Sequence, residues 1–332
     1  MSLPARTPDE VLRFFEQGQL TPAEAFALLR KLELKQPPLS IVRRVAEPRG
    51  GKIADEQVER QRNIATLLTE LDALIGLDEV KLLVREVQAF LTIQQRRRQE
   101  MLLTEPLVLH AIFKGNPGTG KTTVARLFGR LFLEMGVLPK GHLIECERAD
   151  LVGEYIGHTA QKTRELVRKA LGGILFIDEA YALARGGEKD FGKEAIDTLV
   201  KAMEDHKEQL ILILAGYRRE MDYFLLTNPG LTSRFPIQID FPDFSVNDLM
   251  RIATLMLRQR QYRLTPGARR KLAAILHEQL EDGNPHFGNA RFVRNMLERA
   301  IRRQALRLVG QASTSTREQL MLITESDLEV PA

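Results

Sequence analysis

One cysteine, Cys146, serves the whole chain of 332 residues, which excludes an intramolecular disulfide framework and metal–thiolate clusters and points to a reducing compartment. That thiol reads as a small buried apolar side chain beside a strand. No stretch approaches the roughly 18 apolar residues of a membrane span. The opening "MSLPARTPDEVLRFF" also lacks the apolar run of a signal peptide, so a cytoplasmic protein with no membrane partner is expected. Excess charge is scarce: 48 Lys and Arg against 44 Asp and Glu leave a net +4, too little to argue for a nucleic-acid partner. The six histidines, His110, His142, His158, His206, His277 and His286, fall without metal-ligand spacing and read as structural or surface groups. No Ser-His-Asp or Cys-His constellation is visible, and repeats and long low-complexity tracts are missing. What remains is 44% hydrophobic content in a chain long enough for two compact units.

The segment "TPDEVLRFFEQGQLTPAEAFALLRKLE" reads as two short amphipathic helices, with Thr21 capping the second, Pro22 at its first position and Glu24 in the capping box. This gives a helical hairpin over 1–34. Residues 35–62 mix prolines, a Gly-Gly and many charges, the composition of a linker. From residue 63 to Pro242, helical stretches alternate with the apolar runs "LVLHAIFKG", "HLIECE", "GGILFIDEA", "QLILILAGY" and "FPIQIDF". Runs without polar alternation suit parallel strands buried on both faces, so residues 63–242 form an α/β domain with a parallel sheet flanked by helices. Residues 243–332 read as a small helical subdomain, with Ser245 and Thr265 as caps. Its apolar stripes, among them Leu272, Ile275 and Leu276, read as core, and "GQASTSTREQ" reads as a loop.

Within this frame, "KGNPGTGKTTVAR" stands between an apolar run and a helical stretch. Gly115, Gly120, Lys121 and Thr122 satisfy G-x-x-x-x-G-K-[ST], in which backbone N–H groups cradle phosphate oxygens at a helix N-terminus. Asn116, Pro117, Gly118 and Thr119 fill the loop and Thr123 follows it. Lys121 is expected to reach the terminal phosphates of ATP as a point charge, and the Thr122 hydroxyl to coordinate Mg2+. In "GGILFIDEA", Asp178 and Glu179 end an apolar strand at the sheet's carboxyl edge, where α/β ligands bind. Asp178 suits the metal, held through water, and Glu179 suits the water that attacks the terminal phosphate. Asp-Glu at a solvated helix start is the competing reading.

With those residues in view, the chain resembles the AAA+ ATPases, and closely the branch of bacterial stage V sporulation protein K and the red-type rubisco activases. The stretches that carry the resemblance are "GNPGTGKTTVARLFG", "ADLVGEYIGHTAQKTRELV", "GGILFIDEAYALARGGEKDFGKEAIDTLV", "ILAGYRREMDYFLLTNPGLTSRF" and "GNARFVRNMLERA". Two of these regions look nearer to the sporulation branch. The resemblance implies an ATP-hydrolysing ring, usually a hexamer, with ATP between subunits and a protein client remodelled or threaded through the pore, and for the nearer branch a role in spore formation; a rubisco-activase-like remodelling ATPase and a nucleotide-dependent assembly scaffold with slow turnover are the alternatives. It implies that Ile75 and Gly76 contact adenine, although an apolar helix entry with a turn glycine has the same composition. By the same resemblance, Arg234 in "NPGLTSRF" matches the arginine finger that reaches a neighbour's ATP. Arg291 matches the lid arginine that senses the terminal phosphate, with Arg294 one turn on as its competitor. Tyr155, Ile156 and Gly157 match the aromatic-apolar-glycine loop of the pore, against the alternative of an aromatic packed on its own domain. "ARGGEKDFGKE" is either a second pore loop or a polar surface loop. The chain departs from the family where Asn or Thr commonly aligns the attacking water: "LILAGYRRE" offers Gly216 and Tyr217 instead.

Overall fold

Each of the five apolar runs becomes a strand: β1 (Ala111–Gly115), β2 (Leu143–Cys146), β3 (Ile174–Ile177), β4 (Ile211–Gly216) and β5 (Ile237–Phe241). They form one parallel sheet in the order β2-β3-β4-β1-β5. This is a computed structural model, and it describes residues 50–332 apart from 105–106, 156, 187–189, 282, 284, 312–314 and 330–332, with side chains from residue 58 onward. The chain divides into two units, 1–59 and 60–332. The helical hairpin expected over 1–34 lies outside the described residues.

β3 and β4 are buried at every position, which is why their sequences carry no polar alternation. The edge strands β2 and β5 are only partly buried. In register, Lys114 of β1 stands beside Gly216 of β4, and Ile177 of β3 beside Leu214. The carboxyl ends of β1, β3 and β4 therefore meet at one edge, and the residues that follow them are brought together there.

Helices cover both faces. On one lie α1 (Gly50–Ala73), α2 (Asp78–Gln99) and α3 (Lys121–Glu134), packed on a cluster that includes Phe113, Phe128, Phe132 and Phe241. α1 takes up residues 50–62, which composition marks as linker. No proline follows Gly51 in this helix, so nothing in the charged stretch breaks it; residues 58–63 are exposed, and the helix buries first at Leu67 and Leu71 on the sheet face. On the opposite face lie α4 (Arg148–Leu151), α5 (His158–Ala170), the 3₁₀ turn Ala180–Ala184, α6 (Gly192–Asp205), α7 (Arg218–Thr227) and α8 (Pro229–Thr232). Cys146, at the end of β2, packs into the cluster on this face, and burial pushes its thiol up to about 12. It is the apolar filler its surroundings call for, with no thiolate chemistry near neutral pH.

After β5 the chain turns helical: α9 (Val246–Gln259), β6 (Arg263–Leu264), α10 (Pro266–Glu281), α11 (Asn289–Leu308), α12 (Arg317–Met321) and β7 (Leu322–Ile323), with β6 and β7 pairing in parallel. The Ser245 hydroxyl accepts from the Asp248 N–H at 3.2 Å and caps α9, and the Thr265 hydroxyl accepts from the Ala268 N–H at 3.2 Å. Leu272, Ile275 and Leu276 sit in this subdomain's own core. Arg307 of α11 grips Asp327 through two bonds, 2.9 and 2.8 Å, and ties the end of the chain to the lid. Among the described residues no helix is long and apolar enough to cross a membrane.

Candidate nucleotide site

Between β1 and α3 the loop 116–120 wraps a cleft of about 390 Å³. Gly115 lets the loop leave against β5: a Cβ there would stand 2.3 Å from the Phe241 carbonyl oxygen. The buried Thr119 hydroxyl donates to the Asn116 carbonyl at 2.7 Å and braces the turn. The Lys121 ammonium donates to the carbonyls of Gly115 and Asn116 at 2.7 and 2.9 Å. Burial lowers this ammonium to about 8; Asp178 opposes that shift, Arg291 adds to it, and Asp243 opposes it. Thr122 and Thr123 line the cleft beside it.

Asp178 and Glu179 follow β3 and line the same cleft. Both are exposed, directly after four fully buried residues. The Asp178 carboxylate accepts the Glu179 N–H at 3.0 Å, and Glu179 holds a left-handed backbone at φ 47°, strain that a non-glycine residue tolerates where the surroundings fix it. A loop of backbone amides, one ammonium and two carboxylates around one cleft can seat a polyphosphate together with a divalent cation. Thr122 and Asp178 bring a hydroxyl and a carboxylate to the same cleft, the hard oxygen donors Mg2+ takes.

At the other end the cleft turns apolar. Leu74, Ile75, Leu77, Ile252 and Met256 line it, which suits a heterocyclic base. Gly76 is not a lining residue; it turns the chain at φ 66° with the Phe244 ring 3.6 Å from where its Cβ would lie. Of the sequence alternatives, Ile75 faces the cleft and Gly76 makes the turn. From the lid come Arg291 and Arg294, both exposed and both lining the cleft. Of the two, Arg291 lies nearer the phosphate loop by its backbone, its nitrogen 2.7 Å from where a Cβ on Gly118 would stand; both side chains line the cleft that would hold the phosphates.

Gly216, at the end of β4, has a local explanation. A Cβ on Gly216 would fall 2.7 Å from the Tyr181 ring. The next residue, Tyr217, lines the cleft, its ring 4.7 Å from that of His286 and 6.0 Å from that of Tyr181.

The remaining sequence candidates lie elsewhere. Arg234 does not line the cleft of its own chain; Glu204 of α6 holds it, 2.5 Å from Nη2 and 3.0 Å from Nε. Tyr155 is 65% exposed, and among the described residues its ring meets that of His158 at 5.4 Å, so most of its surface is open to solvent. Gly157 caps α5, and Ile156 lies outside the described residues. In "ARGGEKDFGKE", Asp190 anchors the loop on Arg148 through two 2.8 Å bonds. Burial raises this carboxyl, but Arg148 and the Gly192 N–H outweigh it and hold the group low. Sequence reading passed over Glu204, Asp243, Asn289 and Arg148, single polar residues whose partners stand far along the chain. Four of the six histidines have partners or surroundings that fit a structural or surface role: His110 is buried, His142 bonds the Lys169 carbonyl, His158 stacks on Tyr155 and His277 pairs with Glu281. No cluster of three metal-ligating side chains occurs among the described residues.

Comparison with known proteins gives the family. Residues 111–243 match the family model described as ATPase family associated with various cellular activities (AAA), and residues 245–332 match the AAA lid domain. Stage V sporulation protein K of Bacillus subtilis (strain 168) is 59% identical over 262 residues, 79% of this chain and 81% of that protein. The chloroplastic ribulose bisphosphate carboxylase/oxygenase activase of Cyanidioschyzon merolae is 43% identical, over 81% of this chain and 92% of that one. In three dimensions the FIGL-1 AAA domain, solved in complex with ADP, superposes with a TM-score of 0.53 at 18% identity, covering 77% of this chain and 80% of that one. The chain belongs to the AAA ATPase family and carries the AAA lid.

Proposed function

We propose that the protein hydrolyses Mg2+-bound ATP at sites shared between the subunits of a ring, and that the turnover drives remodelling or threading of a protein client. One observation carries this reading: phosphate loop, Asp178, Glu179 and Arg291 converge on one cleft, while Arg234 is turned away from it. A site complete except for its arginine is what a ring completes from the neighbouring copy.

Loop N–H groups and Lys121 bind and orient the phosphates. Thr122 and Asp178 would hold Mg2+, which when bound neutralises charge on the phosphate oxygens. Glu179 accepts a proton from the attacking water or orients it, with the Tyr217 hydroxyl as the candidate second contact. Arg234 from a neighbouring copy stabilises charge developing on the terminal phosphate, and Arg291 reports that phosphate to the lid. The exposed Tyr155 is suited to grip a polypeptide, being amphipathic and free of its own core.

The 59% identity to stage V sporulation protein K favours a client in spore formation. Likeness to an activase of ribulose bisphosphate carboxylase supports a second reading, in which the client is that kind of enzyme. ATP turnover per subunit, measured in Mg2+ buffer over a wide range of protein concentration, tests the shared site. Turnover should rise with concentration; flat turnover would leave each copy working alone. Glu179→Gln should keep ATP bound and trap the client for identification, and Tyr155→Ala should uncouple remodelling from hydrolysis.

A further inference from the structure

The amino end of α11 rests directly on the phosphate loop. A Cβ on Gly118 would stand 2.3 Å from the Gly288 carbonyl oxygen and 2.7 Å from the Arg291 nitrogen, and the Ala290 N–H donates to the Gly118 carbonyl at 3.3 Å. At this contact sits Asn289, fully buried and left-handed at φ 45°. Its amide nitrogen donates to Asp243 at 2.7 Å, to the Phe287 carbonyl at 2.9 Å and to the Pro117 carbonyl at 3.5 Å. Its amide oxygen accepts the Phe244 N–H at 2.9 Å. Chemistry fixes this orientation, because a carboxylate only accepts and a backbone N–H only donates. Asp243 in turn accepts from the Asn116 amide at 3.0 and 2.9 Å through its two oxygens.

Asn116 belongs to the phosphate loop, Asp243 and Phe244 to the connection between β5 and α9, and Asn289 to the start of α11. The three segments are thus joined by one chain of side-chain hydrogen bonds, with Asn289 at its buried end and Asp243 at its exposed end. From this geometry we infer that Asn289 is a positioning residue: through Asp243 and Asn116 it makes the lid, and with it Arg291, follow what the phosphate loop holds. The inference rests on nucleotide binding as proposed above. Arg291 and Arg294 would touch the ligand; Asn289 acts through them.

Two variants separate this role from general stability. Asn289→Gly removes the amide while leaving the left-handed backbone accessible. Asp243→Asn keeps the volume but removes the charge and the second oxygen that accepts from Asn116, leaving one neutral, weaker acceptor for both Asn116 and Asn289. Because Cys146 is buried, spin labels on Glu208→Cys in the sheet domain and Arg302→Cys in the lid report the distance between the two parts. The full chain is measured with ADP and with a slowly hydrolysed ATP analogue, alongside kcat and KM for ATP. Wild type should give different label distances with the two nucleotides. In each variant the distances should coincide, with kcat down at least about tenfold and KM changed less than about threefold, a loss within the usual range of site coupling. A variant that keeps the wild-type distance change overturns the inference, as does a wild type that binds both nucleotides at one lid distance. Wild type that binds neither nucleotide overturns the proposed function as well. If Asn289→Gly does not fold, Asp243→Asn decides by the same readings.

Discussion

Arg234 Nη2 lies 2.5 Å and Nε 3.0 Å from the same oxygen of Glu204, and Nη1 donates to the Gly230 carbonyl at 2.9 Å. The fork is held by its own subunit on the α6 surface, away from the cleft it is proposed to serve. Both side chains keep substantial exposure, 35% and 60%, so the pair adds less than about 1 kcal/mol to stability. Its consequence is for catalysis. Arg234→Ala is expected to bind ATP within a few-fold of wild type and to lose turnover by on the order of a thousandfold. Mixing Arg234→Ala with Glu179→Gln should restore part of the activity, since one copy supplies an intact cleft and the other an intact arginine. A mixture no more active than its parts would place Arg234 outside a shared site.

The central strands β3 and β4 were readable because each is a parallel strand buried on both faces, and such a strand writes its burial as an unbroken apolar run, while the partly buried edge strands β2 and β5 admit Glu145, Gln238 and Asp240. The phosphate loop was readable because its chemistry is local: amide cradle, ammonium and hydroxyl fall within eight residues. Asn289 and Asp243 were not readable, although Asn289 lies inside a quoted stretch, because its meaning depends on a carboxylate 46 residues earlier. Glu204 hides for the same reason, 30 residues before the arginine it holds. Gly216 was visible only as a departure from pattern; the Tyr181 ring, packed where a side chain would go, supplies the cause.

Lys121 gives a prediction in pH. Burial brings its ammonium down to about 8, while bound phosphates favour the charged form and raise it. Binding above pH 8 must therefore take up a proton. The dissociation constant for ATP should rise about tenfold per pH unit once pH exceeds 8, read by titration with a fluorescent nucleotide between pH 7 and 9.5. Lys121→Arg, which stays charged throughout, should bind more weakly with no such slope. A pH-independent wild type would mean that Lys121 does not carry the phosphate contact.

Two glycines with nearly the same backbone separate strain from collision. Gly118 and Gly136 have φ of 74° and 75°, but a Cβ on Gly136 meets nothing within 4 Å, whereas on Gly118 it strikes the lid backbone at 2.3 Å. Gly136→Ala should cost only the left-handed backbone, about 1 to 2 kcal/mol, with nucleotide binding unchanged. Gly118→Ala should cost at least as much and weaken ATP binding at least about tenfold, because loop or lid must shift. Equal ATP affinity in the two variants would show that the lid contact does not shape the site.

His110 carries the acid sensitivity of the sheet domain. It is 3% exposed, and its Nδ1 accepts the Leu212 N–H at 3.0 Å. Burial pushes it from the ordinary 6.5 down to about 4, outweighing its hydrogen bond to the Met203 backbone, which acts the other way. Between those two values the unfolded chain binds the proton more readily than the folded one, so stability falls as pH falls. The contribution is intact above pH 6.5, is reduced by about 2 kcal/mol at pH 5 and by about 3 kcal/mol at pH 4. Carboxylates such as Asp190 and Asp327, held low by Arg148 and Arg307 against the effect of burial, lose their contribution over a lower range, so the span from 6.5 to 5 isolates the histidine. His110→Asn keeps an acceptor for the Leu212 N–H and cannot titrate. Urea unfolding at pH 7 and pH 5 should show wild type losing about 2 kcal/mol more than the variant; equal losses would mean that His110 is protonated in the folded protein without penalty.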